Sequence, residues 1–170
     1  NMKFPFQFVT SDPHYGHFNV LGYDNRPWST IQNHDAALME NYNAVVGPSD
    51  TVLWMGDCFF IKKPDAEALV ALLNGKKWLI KGTHDRWTST SYRKVGFEEV
   101  FDGYTHDQIR FSHHPEYTLP PGCRYNVHGH THARNAIPVG ALASSHVCAS
   151  VTAWRYAPAP IYAVLGLLGL

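Results

Sequence analysis

The stretch Lys77-Trp78-Leu79-Ile80-Lys81-Gly82-Thr83-His84-Asp85 decides between two folds. A His-Asp pair inside a helix would suit an all-helical phosphohydrolase, and His34-Asp35 offers a second such pair. Trp78 to Ile80, however, is a short apolar run of β-favouring residues, and Gly82 breaks it just before His84. The pair therefore falls in a turn behind a strand. The same pattern recurs along the chain. Phe4 to Thr10 runs into Asp12 and His14, and Thr51 to Met55 into Gly56-Asp57. Gln108 to Ser112 runs into His113, and Arg124 to Val127 into His128-Gly129-His130-Thr131-His132.

Between the early strands lie helical segments. Thr30 or Asn33 can cap a helix over Ile31 to Val46, whose Leu38, Tyr42 and Val45 share one stripe. Asp65 to Leu73 reads as a second helix closed by Asn74-Gly75. Trp87 to Asp107 reads as a short helix followed by a strand near Glu98 to Phe101, and Ser145 to Ser150 as a further strand. The apolar run Ile161 to Leu170 reads as a buried strand, a helix end or a tail. Strand, helix, strand, helix, strand and then mostly strands predicts α/β architecture with mixed sheets covered by helices. Ligands in such folds gather outside the carboxyl ends of strands, where all five polar segments fall.

Length and composition narrow the function. A chain of 170 residues without repeats or a linker is expected to form a single domain over 1–170. Its formal net charge is zero, so no basic excess steers it toward polymeric nucleic acid. Cys58, Cys123 and Cys148 form no CxxC pair, which argues against a disulfide framework or a thiolate zinc site. With no apolar signal core at the start and no run long enough to span a bilayer, a cytoplasmic setting is the expectation. Eleven histidines are the anomaly, because imidazole is the commonest metal ligand and a small domain has few other uses for so many.

Asp12 and His14, two apart on extended backbone, point to one side and can reach one ion. Gly56 allows close backbone approach to Asp57, whose carboxylate can bridge two cations. Gly129 permits a bend that lets His130 and His132 diverge to neighbouring ions. In Ser112-His113-His114-Pro115, strand alternation lets only one imidazole face the site. His34, His106 and His146 have no such context and read as ordinary packing or surface residues, and Cys58 as a small buried one.

The order Asp-x-His, Gly-Asp, Gly-x-His-Asp, His, Gly-His-x-His resembles the calcineurin-like metallophosphoesterases, and more closely their small bacterial and phage branch. Ser11 to His17, Asn25-Arg26-Pro27-Trp28 and Leu79-Ile80-Lys81-Gly82 match that branch in wording. The resemblance covers Phe8 to His132, and Val147 to Pro158 more loosely. It implies a four-layer α/β/β/α sandwich with Asp12, His14 and His132 on a first ion, Asp57 bridging, and His113 and His130 on a second. Of the His113-His114 pair it selects His113 as the ligand and leaves His114 exposed or one step removed. His84 would assist the leaving group, with Asp85 orienting it. The family carries asparagine where this chain has Thr83, and its amide oxygen ligates the second ion. Threonine is shorter and its neutral hydroxyl a poorer ligand, so Thr83 is expected to leave that position weak or filled by water.

These expectations describe a phosphodiesterase with two divalent cations, manganese first and iron, zinc, nickel or magnesium also admitted by nitrogen and oxygen ligands. Two cations roughly 3.5–4 Å apart acidify a shared water for in-line attack at phosphorus. Arg26 is a candidate fork for a substrate phosphate, and His17 and Asn19 are candidate cleft residues. The expected partner is a small phosphoester such as a nucleotide or cyclic nucleotide, with Trp28, Trp87, Tyr92 and Tyr117 as candidate stacking faces. The rival is a binding module weakened as a catalyst by Thr83. A metallo-β-lactamase-like hydrolase is disfavoured because Ala133-Arg134, not Asp-His, follows His132, and HExxH, P-loop and GxSxG motifs are absent.

Overall fold

The computed structural model describes residues 3–132 and 145–170. In chain order the elements are β1 (Phe8–Thr10), α1 (Val20–Tyr23), α2 (Ile31–Val45), β2 (Thr51–Trp54), α3 (Lys63–Ala71), β3 (Lys76–Ile80) and α4 (Ser89–Val95). There follow β4 (Glu99–Phe101), β5 (Tyr104–His106), β6 (Ile109–Ser112), β7 (Tyr125–His128), β8 (His146–Cys148), β9 (Ala159–Pro160) and α5 (Ile161–Leu167). Two mixed sheets stack in an α/β sandwich, as expected. The first has the order β4-β3-β2-β1-β9, parallel except for β9, and the second the order β5-β6-β7-β8, parallel except for β5.

Side-chain alternation sorts the core into two layers. Val52, Trp54 and Leu79 face the helices, where Leu38, Tyr42 and Val46, Ala66 and Val70, and Tyr92 and Val95 cover the first sheet. Leu53, Met55 and Ile80 face the other way and meet Ile109, Phe111, Val127 and Val147 of the second sheet. Burying each such side chain contributes roughly 1.5–3 kcal/mol, so the inter-sheet layer is a main source of cohesion. The second sheet's outer face is covered, among the described residues, by the segment after β6. The Glu116 amide donates to Asn126 Oδ1 at 2.9 Å, and His146 Nε2 donates to the Glu116 carbonyl at 2.8 Å.

Element limits moved in places. The first strand starts at Phe8 rather than Phe4, yet Phe4 and Phe6 still enter the inter-sheet core, in T-shaped contact with Phe111. Thr30 is the cap of α2, its Oγ1 accepting the Asn33 amide at 3.2 Å. The C-terminal run is a short helix that places Val164 and Leu168 in the inter-sheet layer. β5 escaped the sequence reading because it is only three residues long and none of them is buried.

The carboxyl ends of β1, β2, β3, β6 and β7 meet along one edge. Backbone bonds join them there: Asp12 to the Gly56 carbonyl at 2.9 Å, Gly129 to the His113 carbonyl at 2.9 Å, and Val151 to the Ser11 carbonyl at 2.9 Å. The last of these, with the Ser11–Ser150 bridge, stitches the two sheets together beside the site.

Candidate metal centre

Asp12, His14, Asp57, His130 and His132 all have positive φ, between 52° and 69°. Non-glycine residues adopt this left-handed conformation at a cost and hold it only where surrounding bonds over-determine it. The strand ends therefore leave their sheets in sharp turns that aim these side chains at one another. Neighbouring backbone must come very close for this. A Cβ on Gly56 would stand 2.6 Å from His113 Nδ1, and one on Gly129 would stand 2.6 Å from Asp12 Oδ2.

Two groups of side chains result. In one, a ligand atom from each of Asp12, His14, Asp57 and His132 lies within 4.8 Å of the others, and in the second the same holds for His113, His114 and His130. Asp57 Oδ2 lies 3.8 Å from His14 Nε2 and 3.4 Å from His113 Nε2, between the two groups. Its other oxygen accepts the His84 amide at 2.9 Å.

The hydrogen bonds behind these groups fix which atoms face inward. Asp12 Oδ2 accepts from the His130 amide at 2.8 Å and from Ser150 Oγ at 2.7 Å, leaving Oδ1 to face the other side chains of the group. His113 Nδ1 donates to the Met55 carbonyl at 2.6 Å, so the Nε2 of a neutral ring carries a lone pair. His14 Nδ1 is bonded to His17 Nδ1 at 2.9 Å, again presenting Nε2. His132 donates Nδ1–H to Asp24 Oδ2 at 3.1 Å, while its Nε2 is 3.2 Å from Asp12 Oδ1. Asp12 Oδ1, His14 Nε2 and His113 Nε2 are buried and, among the described residues, have no hydrogen-bond partner. Orphaned buried polar atoms are costly. Three of them around one carboxylate, all of ligating type, fit divalent cations, and these clusters could hold metal ions.

The electrostatics agree. Burial pushes the Asp12 carboxyl up, but the adjacent His132 ring outweighs that and holds it well below the usual carboxylate range. Burial opposes the charge on His132, yet Asp12 and Asp24 raise its pKa to about 9. Burial, aided by the His132 charge, lowers His14 to about 3, which keeps its Nε2 unprotonated. Without a cation, His132 supplies the positive charge that two neighbouring carboxylates require.

No protein-family model matches the chain. It is 33% identical over 132 residues to the uncharacterized protein MJ1445 of Methanocaldococcus jannaschii, a match spanning 75% of this chain and 70% of that one. It is 30% identical over 159 residues to the Gene 66 protein of Mycobacterium phage D29, spanning 75% of this chain and 78% of the phage protein. The chain belongs to the family of these proteins. A crystal structure of AQ665, a protein of unknown function from Aquifex aeolicus, superposes with a TM-score of 0.72 at 21% identity, covering 95% of this chain and 98% of that one. That likeness shows a shared fold.

In this member of the family several assignments from sequence change. Arg26 does not face substrate: its side chain is fully enclosed. It donates Nε–H to Asp24 at 2.9 Å, Nη1–H to the Pro13 carbonyl at 2.8 Å and Nη2–H to the Asp12 carbonyl at 2.9 Å. Asp85 does not orient His84 either. It is buried and accepts the amides of Asp57 at 2.7 Å, Cys58 at 3.1 Å and Gly82 at 2.7 Å, clamping the loops after β2 and β3 together. His17 stacks on Phe60 and engages His14, so it supports that ring instead of lining the cleft, and Asn19 is an exposed residue at the start of α1. His114 joins His113 and His130. His84 is exposed at the rim of an open cleft of about 380 Å³, with His14, Tyr23, Asp57, His130 and His132 among its walls.

Other functional residues were invisible in sequence. Asp24 braces both His132 and Arg26, Ser150 holds Asp12, and the buried His34 joins Arg26 to Asp35, which accepts the Gly16 amide at 3.0 Å. Proximity of Asp24 to the Asn25-to-Trp28 match was one available signal; Ser150 had only its place in the loosely matched stretch Val147 to Pro158.

Proposed function

We propose that the chain is a metal-dependent phosphoesterase that prefers phosphodiesters. The observation that carries this is the convergence of the orphaned Asp12 Oδ1, His14 Nε2 and His113 Nε2 around Asp57, at the floor of an open cleft. The resemblance to calcineurin-like metallophosphoesterases supports the same reading. Asp12, His14, Asp57 and His132 would hold one divalent cation, and Asp57, His113 and His130 a second. Bound cations supply Lewis-acid stabilisation of phosphoryl oxygens and acidify water.

The chain's own residues do the rest. Asp24 and Ser150 keep His132 and Asp12 from turning away, a type of backing that sustains ligand geometry. His84 stands on the cleft side of Asp57, its amide held by Asp57 Oδ1, with its ring exposed and, among the described residues, free of hydrogen bonds. A proton on that ring can pass to a departing oxygen. The cleft is open and lies within the range of small-molecule sites, which suits a small phosphodiester such as a nucleotide or cyclic nucleotide better than a polymer on a chain of zero net charge.

Asp85 is needed by the fold, so its presence does not by itself speak for catalysis. His84 separates an enzyme from a module that only binds phosphate. Metal-stripped protein titrated with manganese should hydrolyse bis(p-nitrophenyl) phosphate faster than p-nitrophenyl phosphate. His84→Ala should lower turnover by about 10²–10⁴-fold with metal uptake unchanged. Metal uptake without turnover in the wild type would instead leave a binding module.

A further inference from the structure

We propose that His114 is a direct ligand of the second cation, in the place that Thr83 is too short to fill, and that the resulting imidazole-rich site selects borderline metals such as zinc, nickel or cobalt over magnesium. This rests on the metal-dependent reading above and deepens it. Strand alternation would turn His113 and His114 to opposite faces. β6 ends at Ser112, however, so alternation no longer governs the pair. Both rings come to the same mouth, perpendicular to each other with centroids 4.9 Å apart. His114 packs on His130 at 4.2 Å, and one ligating nitrogen from each of His113, His114 and His130 falls within 4.8 Å of the others.

Thr83 explains the position of the ring. Its Oγ1 lies 3.1 Å from His114 Nε2, so an imidazole nitrogen reaches within a hydrogen bond of the short side chain at position 83. The His114 backbone is also anchored. Ser112 Oγ donates to the His114 carbonyl at 2.7 Å, and Asn126 donates Nδ2–H to Ser112 Oγ at 2.9 Å while accepting the Glu116 amide. Thr83 is thus a positioning residue and His114 the donor. The first cation would have two carboxylates and two imidazoles; the second would have three imidazoles and a share of Asp57. Imidazole suits zinc, nickel and similar ions, whereas carboxylate-rich sets suit magnesium and manganese.

The test uses the metal-stripped full chain titrated with cobalt(II), followed by calorimetry, visible absorption and proton NMR of the cobalt form. Wild type should take up two cobalt ions, with one hyperfine-shifted exchangeable N–H signal for each ligating imidazole. His114→Ala and His114→Gln, both at an exposed position, should lose one such signal. They should weaken the second binding step by about 10–100-fold or more, since loss of an outer-shell partner already does that much, with the first step unchanged. Thr83→Val should weaken the second step less and keep the signal. Two equally tight cobalt ions and the full set of signals in both His114 variants would overturn the ligand assignment while leaving the two-cation reading in place. A wild type that takes up no second cobalt would overturn both.

Discussion

The two ligand groups are built in opposite ways. Asp12, His14 and Asp57 are buried and His132 nearly so, while in the other group only His113 is buried and His114 and His130 are exposed. The first group is backed on every side: Ser150 and the His130 amide hold Asp12, Asp24 holds His132, His17 holds His14, and Arg26 grips the carbonyls of the Asp12-Pro13 turn. The second is backed at His113 by the Met55 carbonyl, and at the exposed ring of His114 by Thr83. The difference teaches that burial and preorganisation are uneven within one centre. A cation should enter the first group as a rigid socket and the second as a surface clip.

That contrast can be broken most directly at the residue both groups share. Asp57→Asn should remove most uptake at both positions, measured as bound metal per chain by atomic emission after dialysis; loss confined to one position would mean that Asp57 does not bridge. Arg26→Met should come next. It strips donors from two buried carbonyls and takes away one of the two partners of Asp24, so unfolding stability should fall by about 3–5 kcal/mol in denaturant titrations. An equally stable variant would show that the brace is dispensable. Asp24→Asn should spare the fold but lower first-site affinity by about 10–100-fold, leaving the second step alone, as calorimetry would show. The smallest effect is on pH. Because the metal-free protein holds His132 at about 9, the ring is protonated at neutral pH and an entering cation must expel that proton. First-site affinity should therefore rise as pH increases toward 9, and calorimetry in buffers of different ionisation enthalpy should detect proton release. A flat profile would mean that His132 is not a ligand.

Much of this centre was legible in the chain, for a local reason. Asp12, His14, Asp57, His113, His130 and His132 each follow a strand within a few residues, and strand, turn and ligand are all written in one short segment. Topology then brings parallel strands to a common edge. The misassigned residues share a different character. Arg26 and Asp85 carry charges that sequence reading places near chemistry, but whether a charge faces solvent or the backs of loops depends on which carbonyls and amides lie around it. Asp24 and Ser150 act across long separations, as in the bonds from His132 to Asp24 and from Ser150 to Asp12.

By itself, then, the sequence determined the α/β alternation and the placing of the candidate ligands just behind strand ends, because hydrophobic period and turn residues act within a few residues of one another. Only the tertiary structure decided that Arg26 and Asp85 are braces, that Asp24 and Ser150 hold His132 and Asp12, and that His114 lies beside Thr83. Those outcomes follow from hydrogen-bond geometry between segments far apart in the chain, where a donor's role is set by the acceptors that folding places next to it.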